Sequence, residues 1–252
     1  MRRIYYTEWQ SIPFASFASV SSKELAGPEF YEAFYVELFK RYQSWDQLPS
    51  NWRDEKKIWA DFIATRTRSR SRVLSVGCGL GIVERYLSAQ NREIDQTIHE
   101  IAPSSWRWVE NEFRADRRIT GKIPECLPEN AQFDLVYLGT VDYALDDESL
   151  VGLLAALRGY IAQPNGECLL ISASFERTPE TPSEFVRSRI GDLKELAKDV
   201  LGILGLYSRG QFWGWNRSRG EYQSLMRRAG YRDIQDGFID SETRKHYWIA
   251  GH

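Results

Sequence analysis

The chain has 252 residues, 42% hydrophobic and 27% charged, ordinary globular proportions that exclude disorder, collagen or coiled coil as descriptions of the whole. Its 33 basic and 35 acidic side chains give a formal charge of −2, so no overall field draws it to nucleic acid or an anionic membrane. Three cysteines (Cys78, Cys126, Cys168) form neither a disulfide framework nor a metal-ligand spacing, and no apolar run nears the roughly 20 residues of a membrane span, so a soluble, cytoplasmic protein without a metal is expected.

Gly27-Pro28 opens a helix in which Phe30, Tyr31, Phe34, Tyr35, Leu38 and Phe39 recur at spacings of three and four. A second helix is predicted from Asp54 to Ala64, with Ile58, Trp59, Phe62 and Ile63 as its apolar side. Residues 1–65 therefore read as helices without strands, a cap or lid ahead of the alternating tract Thr65-Arg66-Thr67-Arg68-Ser69-Arg70-Ser71-Arg72. Beyond that tract, in 66–252, short apolar runs alternate with helical patterns, the texture of a mostly parallel sheet with crossover helices.

Strands are predicted over Val73–Val76, Ile94–Glu100, Phe133–Leu138 and Cys168–Ser172, the last entered through the turn Pro164-Asn165-Gly166. Helices fall over Ile82–Ala89, from Ser104 or Ser105 through Trp108 and Phe113, and from a cap at Asp146 or Asp147 with Leu150, Leu153, Leu154, Leu157 and Ile161 on one face. From Phe175 to Gly230 the pattern is again helical, over Phe185–Leu206 and Glu221–Ala229, with Gly230 as C-cap. Strands follow around Ile234–Ile239 and His246–Ala250. Between Gly210 and Gly220, the ring-rich Gln211–Arg217 reads as a functional loop or second cap, so 176–220 is expected to be a helical insertion contributing to a substrate pocket. The apolar end Leu201–Leu206 suits packing on the chain's own core or on a second copy, which leaves a homodimer open.

The segment richest in chemistry is Val73-Leu74-Ser75-Val76-Gly77-Cys78-Gly79-Leu80-Gly81-Ile82, a strand that breaks into glycines and reopens as a helix. Glycines there let backbone approach a ligand closely and set helix N-terminal amides at its polar end. The spacing excludes other phosphate loops: a dinucleotide fingerprint puts its third glycine where Ile82 stands, which disfavours an NAD-dependent oxidoreductase, and a Walker loop needs a Lys-Ser/Thr pair that is absent.

Gly77-Cys78-Gly79-Leu80-Gly81 resembles the first motif of the class I S-adenosylmethionine-dependent methyltransferases. The resemblance continues in order through Glu100 closing the second strand, Gly121-Lys122-Ile123, Phe133-Asp134-Leu135-Val136, Pro164-Asn165-Gly166, and the helix from Arg219-Gly220-Glu221-Tyr222 to Ala229-Gly230-Tyr231, covering residues 70–250. It implies an α/β, Rossmann-like fold: a seven-stranded, mostly parallel sheet with flanking helices and an antiparallel last strand, here with an N-terminal helical cap and a helical insertion before strand six. It implies S-adenosylmethionine as cofactor and S-adenosylhomocysteine as product. Position by position, Gly77, Cys78, Gly79 and Gly81 would meet the cofactor through backbone, Glu100 would accept from the ribose hydroxyls, Ile101 would pack on adenine, and Lys122 and Ile123 would flank its edge. Gly139 and Thr140 would face the methionine portion. Family members often carry an acidic residue two before the first glycine; this chain has Ser75, so a contact toward the methionine amino group would be weakened or supplied elsewhere.

Methyl transfer from a sulfonium is an in-line displacement, so the protein must mainly hold the nucleophile close, aligned and dry. Asp142 and Tyr143, just past the fourth strand, are the catalytic candidates, Tyr143 first; His99 is expected to be packed or exposed, opposite Glu100 by strand alternation. The pocket is expected from Tyr5, Tyr6, Trp9, Phe14, Phe17, Tyr31 and Tyr35 on one side and Phe212, Trp213, Trp215, Asn216 and Arg217 on the other. Tyr5, Tyr6 and Trp9 read as lid residues, whereas Tyr31, Phe34 and Tyr35 read as the buried face of a helix. Rings with a few polar groups suit a small acceptor, a sugar or an aromatic natural-product-type metabolite, methylated on O or N. Two alternatives stand beside this: a non-catalytic S-adenosylmethionine-binding or scaffold protein, and an RNA methyltransferase using Arg66, Arg68, Arg70 and Arg72, which the slightly negative charge disfavours.

Overall fold

The computed structural model describes residues 2–90, 93–172, 197–198, 209–240 and 246–251. Strands β4 (Arg72–Val76), β7 (Leu135–Gly139) and β8 (Glu167–Ile171) are apolar on successive residues, as strands covered on both faces must be. With β5 (Asp95–Glu100), β6 (Arg118–Thr120), β10 (Ile234–Phe238) and β11 (His246–Gly251) they form a seven-stranded sheet in the order β10-β11-β8-β7-β4-β5-β6. All pairings are parallel except those of β11, which runs antiparallel to both its neighbours. The chain leaves β4 toward β5 on one side and returns to β7 on the other, so the carboxyl ends of β4, β5 and β7 flank a switch point where such sheets open a crevice.

Helices cover both faces. Trp59 and Ile63 of α2 (Ser50–Ala64) and Leu87 of α3 (Ile82–Gln90) pack on Val73, Leu135 and Leu169. On the other face, Leu150, Leu154 and Leu157 of α5 (Asp147–Arg158) and Tyr222 and Met226 of α6 (Arg219–Arg228) pack on Val136, Leu138, Leu170 and Trp248. Asp146 caps α5 by accepting from the Ser149 amide at 2.8 Å. That bond holds its carboxyl below the usual range, so the cap's contribution is full above the unfolded pKa and is lost as pH falls through the depressed one. Asp146→Ala is expected to cost about 1 kcal/mol, seen as a melting temperature lower by roughly 2–4 °C at neutral pH; an unchanged midpoint would show the cap to be idle. Ser218 and Glu221 form a reciprocal capping box at the start of α6.

The amino-terminal region corrects the all-helical expectation. Helices α1 (Pro28–Arg41) and α2 are present, but β1 (Arg2–Tyr6) pairs antiparallel with β9 (Gln211–Asn216), and β2 (Glu8–Trp9) with β3 (Ile12–Pro13). Gln211–Asn216, expected as loop within a helical insertion, is thus a strand, its partner lying at the other end of the chain. A bulge between Ile4 and Tyr5 breaks the alternation by which β1 could have been read. Residues 1–65 do not form a separate core: Phe34, Leu38 and Trp52 pack with Leu80, Ile82 and Trp108. The helix expected from Ser104 or Ser105 shrinks to a 3-10 turn, Pro103–Ser105, and the four-residue α4 (Trp106–Val109), without a side-chain cap, because the Ser104 amide and hydroxyl bond to Glu32 of α1. The helix expected over Phe185–Leu206, with its apolar end, lies outside the described residues apart from 197–198. Among the described residues no helix is long and apolar enough to cross a membrane.

Candidate active site

The β4 strand ends at the crevice in a turn where Gly77, Gly79 and Gly81 all have positive φ. At Gly77 a Cβ would stand 2.4 Å from Val141 Cγ2, so glycine is what lets the loops after β4 and β7 close together. The Gly77 and Cys78 amides donate to the His99 carbonyl at 2.9 and 3.0 Å, and the Gly79 amide donates to Glu100 Oε2 at 2.7 Å. These three amides tie the turn to β5, and at Gly77 and Gly79 it presents backbone without a side chain to the cavity. The expectation for Gly81 is corrected. It does not line the cavity, and its missing side chain makes room for Val109, whose Cγ2 would be 2.7 Å from a Cβ.

Glu100 closes β5 with its carboxylate buried. Oε1 accepts from the amides of Ile101 (2.8 Å) and Ala102 (3.1 Å), Oε2 from Gly79. Burial pushes the carboxyl above its ordinary range, and those three donors pull against the shift. Three of about four acceptor positions are filled, and the fourth is on Oε2.

These groups open into a cavity of about 740 Å³, toward the upper end of small-molecule sites. Gly77, Cys78, Gly79, Glu100, Ile101, Lys122, Ile123, Gly139 and Thr140, the residues expected to meet the cofactor, line it together. Its aromatic wall is Trp9, Tyr31, Tyr35, Trp52, Trp59, Tyr137 and Tyr143. Tyr31 and Tyr35 line the cavity, the pocket role named for them beside the buried-face reading. Tyr5, Tyr6, Phe14, Phe17, Phe212, Trp213, Trp215 and Asn216 do not line it. Several form a layer behind, in which Trp213 stacks on Phe14 (5.1 Å between centroids, 14°) and on Tyr143 (5.7 Å, 9°).

Tyr143 lines the cavity and its hydroxyl accepts from Tyr31 at 3.1 Å. Burial, with Tyr31 beside it, pushes its pKa well above the ordinary value. As a phenol it can donate a hydrogen bond into the cavity. Asp142 is a second correction. It does not line the cavity: its carboxylate accepts from Ser172 Oγ (2.9 Å) and from Tyr222, and its carbonyl from Arg217. The 3-10 turn Asp142–Ala144 sends adjacent side chains to opposite sides, one into the core and one into the cavity. Arg217, expected in the pocket, is fully buried, with Nε on Asp147, Nη1 on the Asp142 carbonyl and Nη2 on the Leu145 carbonyl.

His99 was expected opposite Glu100, yet both line the cavity, because it wraps round the end of β5. His99 Nε2 donates to the Gly121 carbonyl at 2.8 Å, so Nδ1 carries the lone pair, and burial holds the imidazole neutral by lowering its pKa. The sequence reading also missed Lys56, Trp59 and Glu84. Lys56 Nζ sits 3.3 Å from the Trp59 ring centroid, a cation–π contact on the cavity wall. Glu84 Oε1 accepts from Ser75 Oγ (2.6 Å) and Tyr137 (2.5 Å). The signal for Glu84 was its place three residues past Gly81, one turn from a strand with a hydroxyl at Ser75.

No protein-family model and no curated protein sequence matches the chain. Solved structures do. Human N-acetylserotonin methyltransferase in complex with S-adenosylmethionine is 16% identical, with a TM-score of 0.53 over 89% of this chain and 56% of its own. PigF with S-adenosylhomocysteine is 16% identical, with a TM-score of 0.57 over 90% and 60%. The mitomycin 7-O-methyltransferase MmcR is 18% identical, with a TM-score of 0.55 over 78% and 54%. The chain spans less than two thirds of the length of each. The likeness shows the fold, a class I, Rossmann-like methyltransferase fold.

Proposed function

We propose that the protein is an enzyme that transfers a methyl group from S-adenosylmethionine to an oxygen or nitrogen of a small acceptor, an aromatic natural-product-type metabolite ahead of a sugar. The observation that carries this reading is the buried Glu100 carboxylate beside the glycine turn, both opening into one ring-walled cavity. Those residues fit the cofactor: Glu100 Oε2 retains an acceptor position for a ribose hydroxyl, and Ile101, Lys122 and Ile123 lie along the same wall. When bound, S-adenosylmethionine supplies an electrophilic methyl group on a sulfonium.

The chain's own residues then have positioning work to do. Trp9, Tyr31, Tyr35 and Trp52 present faces and edges to a flat acceptor and exclude water from it. The Tyr143 hydroxyl, held by Tyr31 and still protonated, orients the acceptor by donating to it. In this reading residues 1–65, with β9, form the cap over the acceptor. The named methyltransferases of similar fold, acting on N-acetylserotonin and mitomycin, support an aromatic acceptor. The arginine tract supports RNA poorly: Arg66 and Arg68 line a separate depression beside Asp134 and Glu167, at the amino end of β4, where Arg72 faces Asp134 at 3.7 Å. A five-residue strand, roughly 17 Å, separates them from the cavity.

Calorimetric titration with S-adenosylmethionine and S-adenosylhomocysteine is expected to give micromolar or tighter binding, and a screen of phenols and arylamines to yield a methylated product by mass spectrometry. Tyr143→Phe is expected to lower kcat/KM about tenfold, the worth of one hydrogen bond, while cofactor affinity holds. A folded protein that binds neither compound overturns the reading; unchanged kcat/KM removes Tyr143 from it.

A further inference from the structure

Tyr143 is held in place by a strand that stands behind the cavity wall. Along the β1–β9 ribbon Ile4 pairs with Gly214 and Tyr5 with Phe212, so Trp213 is the residue of β9 without a partner on β1. An extra residue of this kind bends its strand and re-aims a side chain. Trp213 is buried and does not line the cavity, yet its ring lies against both members of the hydroxyl pair that does. It is parallel to Tyr143, with 5.7 Å between centroids and 9° between planes, and edge-on to Tyr31 at 5.5 Å and 60°.

The residues that follow Trp213 grip the same turn. Gly214 has φ +157°, and a Cβ there would stand 2.1 Å from the Tyr143 carbonyl oxygen and 2.8 Å from its Cδ2, so β9 runs in contact with both main chain and ring. Arg217 then donates to the Asp142 and Leu145 carbonyls on either side of Tyr143. Trp213–Arg217 is therefore the mould in which the turn Asp142–Ala144 is cast. The bond from Tyr31 fixes the Tyr143 oxygen from one side only, whereas Trp213 fixes the plane of the ring that carries it. A hydroxyl that orients an acceptor has to be held to within a fraction of an ångström.

We propose that Trp213 is a positioning residue for methyl transfer: seated by the β9 bulge, it fixes the Tyr143 ring so that the Tyr143 hydroxyl meets the acceptor, while touching no ligand itself. The inference rests on the acceptor-orienting role given to Tyr143 above. It also ties the site to the first strand of the chain, because pairing with β1 makes Trp213 the extra residue of β9.

The test is a double-mutant cycle on the intact protein, saturated with S-adenosylhomocysteine and titrated with 4-nitrophenol, whose colour reports how much of it is bound as phenolate. Tyr143→Phe is expected to weaken 4-nitrophenol about tenfold, through the loss of one hydrogen bond, and to lower the bound phenolate fraction. Trp213→Leu should weaken it about sixfold and shift the colour the same way, with S-adenosylhomocysteine affinity unchanged. Trp213→Phe, which keeps a smaller ring against Tyr143, should cost about threefold, and it carries the cycle if the leucine variant melts below the assay temperature. In the Tyr143→Phe background either change at Trp213 should cost less than about 1.5-fold and leave the colour alone, because the hydroxyl it positions is gone.

Equal costs in the two backgrounds would make Trp213 a packing residue only and overturn the proposal. So would a folded Trp213 variant that binds 4-nitrophenol as wild type does or weakens S-adenosylhomocysteine to the same degree, and so would a Tyr143→Phe protein with unchanged 4-nitrophenol affinity. If wild type binds S-adenosylhomocysteine but not 4-nitrophenol, the Trp213 proposal fails while the cofactor reading stands; if it binds neither, the cofactor reading falls and takes the proposal with it.

Discussion

Replacing Glu100 with alanine is expected to weaken S-adenosylhomocysteine binding by at least about a hundredfold. Charge-assisted hydrogen bonds contribute roughly 1.5–3 kcal/mol each, and this side chain carries two tasks. In the proposed reading it offers an acceptor to a ribose hydroxyl, and it fixes the amides of Gly79, Ile101 and Ala102 at the cavity end of β5. Alanine deletes the first and releases the second. Glu100→Gln separates them, since its amide oxygen can still serve Ile101 and Ala102 while Oε2 becomes a donor. The useful comparison is S-adenosylhomocysteine against its 2′-deoxy analogue, which wild type should discriminate and the Gln variant should not. Equal discrimination in the two proteins would mean that Glu100 orders the loops without touching the ribose.

The second large effect is structural. Arg217→Ala is expected to destabilise the fold by about 3 kcal/mol, because it takes a donor from the Leu145 carbonyl and from the buried Asp142 carbonyl, which keeps the Leu145 amide at 3.4 Å, and the ion pair from Asp147. For a chain of this size the melting temperature should drop by roughly 6–12 °C. Arg217→Lys should restore less than half of the loss, since one ammonium cannot span three acceptors on different sides of a fork. The turn Asp142–Ala144 hangs from this guanidinium and carries Tyr143, so kcat should fall even at temperatures where the variant is folded. A shift below 2 °C would show that water replaces the guanidinium at little cost.

Much of the sheet was legible because its signals are local. Val73–Val76, Phe133–Leu138 and Cys168–Ser172 are apolar runs bounded by turn residues, and the glycine turn with Glu100 one crossover later marks the carboxyl end of β4 and β5, where the crevice opens. The rest depends on distant partners. Nothing near Arg2–Tyr6 announces a strand, because what makes it one is Gln211–Asn216. Asp142 and Tyr143 are adjacent and equally polar in sequence; a 3-10 turn alone decides that Tyr143 enters the cavity and Asp142 the core. Tyr31 and Tyr35 lie on the apolar stripe of α1, and that stripe faces partly core and partly cavity, a distinction periodicity does not carry. Glu84 reads as an ordinary helical acid until Ser75 and Tyr137 are seen on it.

The ribbon between β1 and β9 also sets an order of events during synthesis. The Ser21 amide waits for the side chain of Gln211, 190 residues later. At about 5–20 residues per second that is a wait of roughly 10–40 s, through which Tyr5 has no Phe212, and Tyr6, Trp9 and Phe14 no Trp213, to cover them. That ribbon thus forms only after β4, β5, β7 and β8 have been made. A nascent chain truncated before residue 211 would carry a formed β4–β5–β7 sheet and an open, sticky aromatic edge, the kind of surface that holdase chaperones bind.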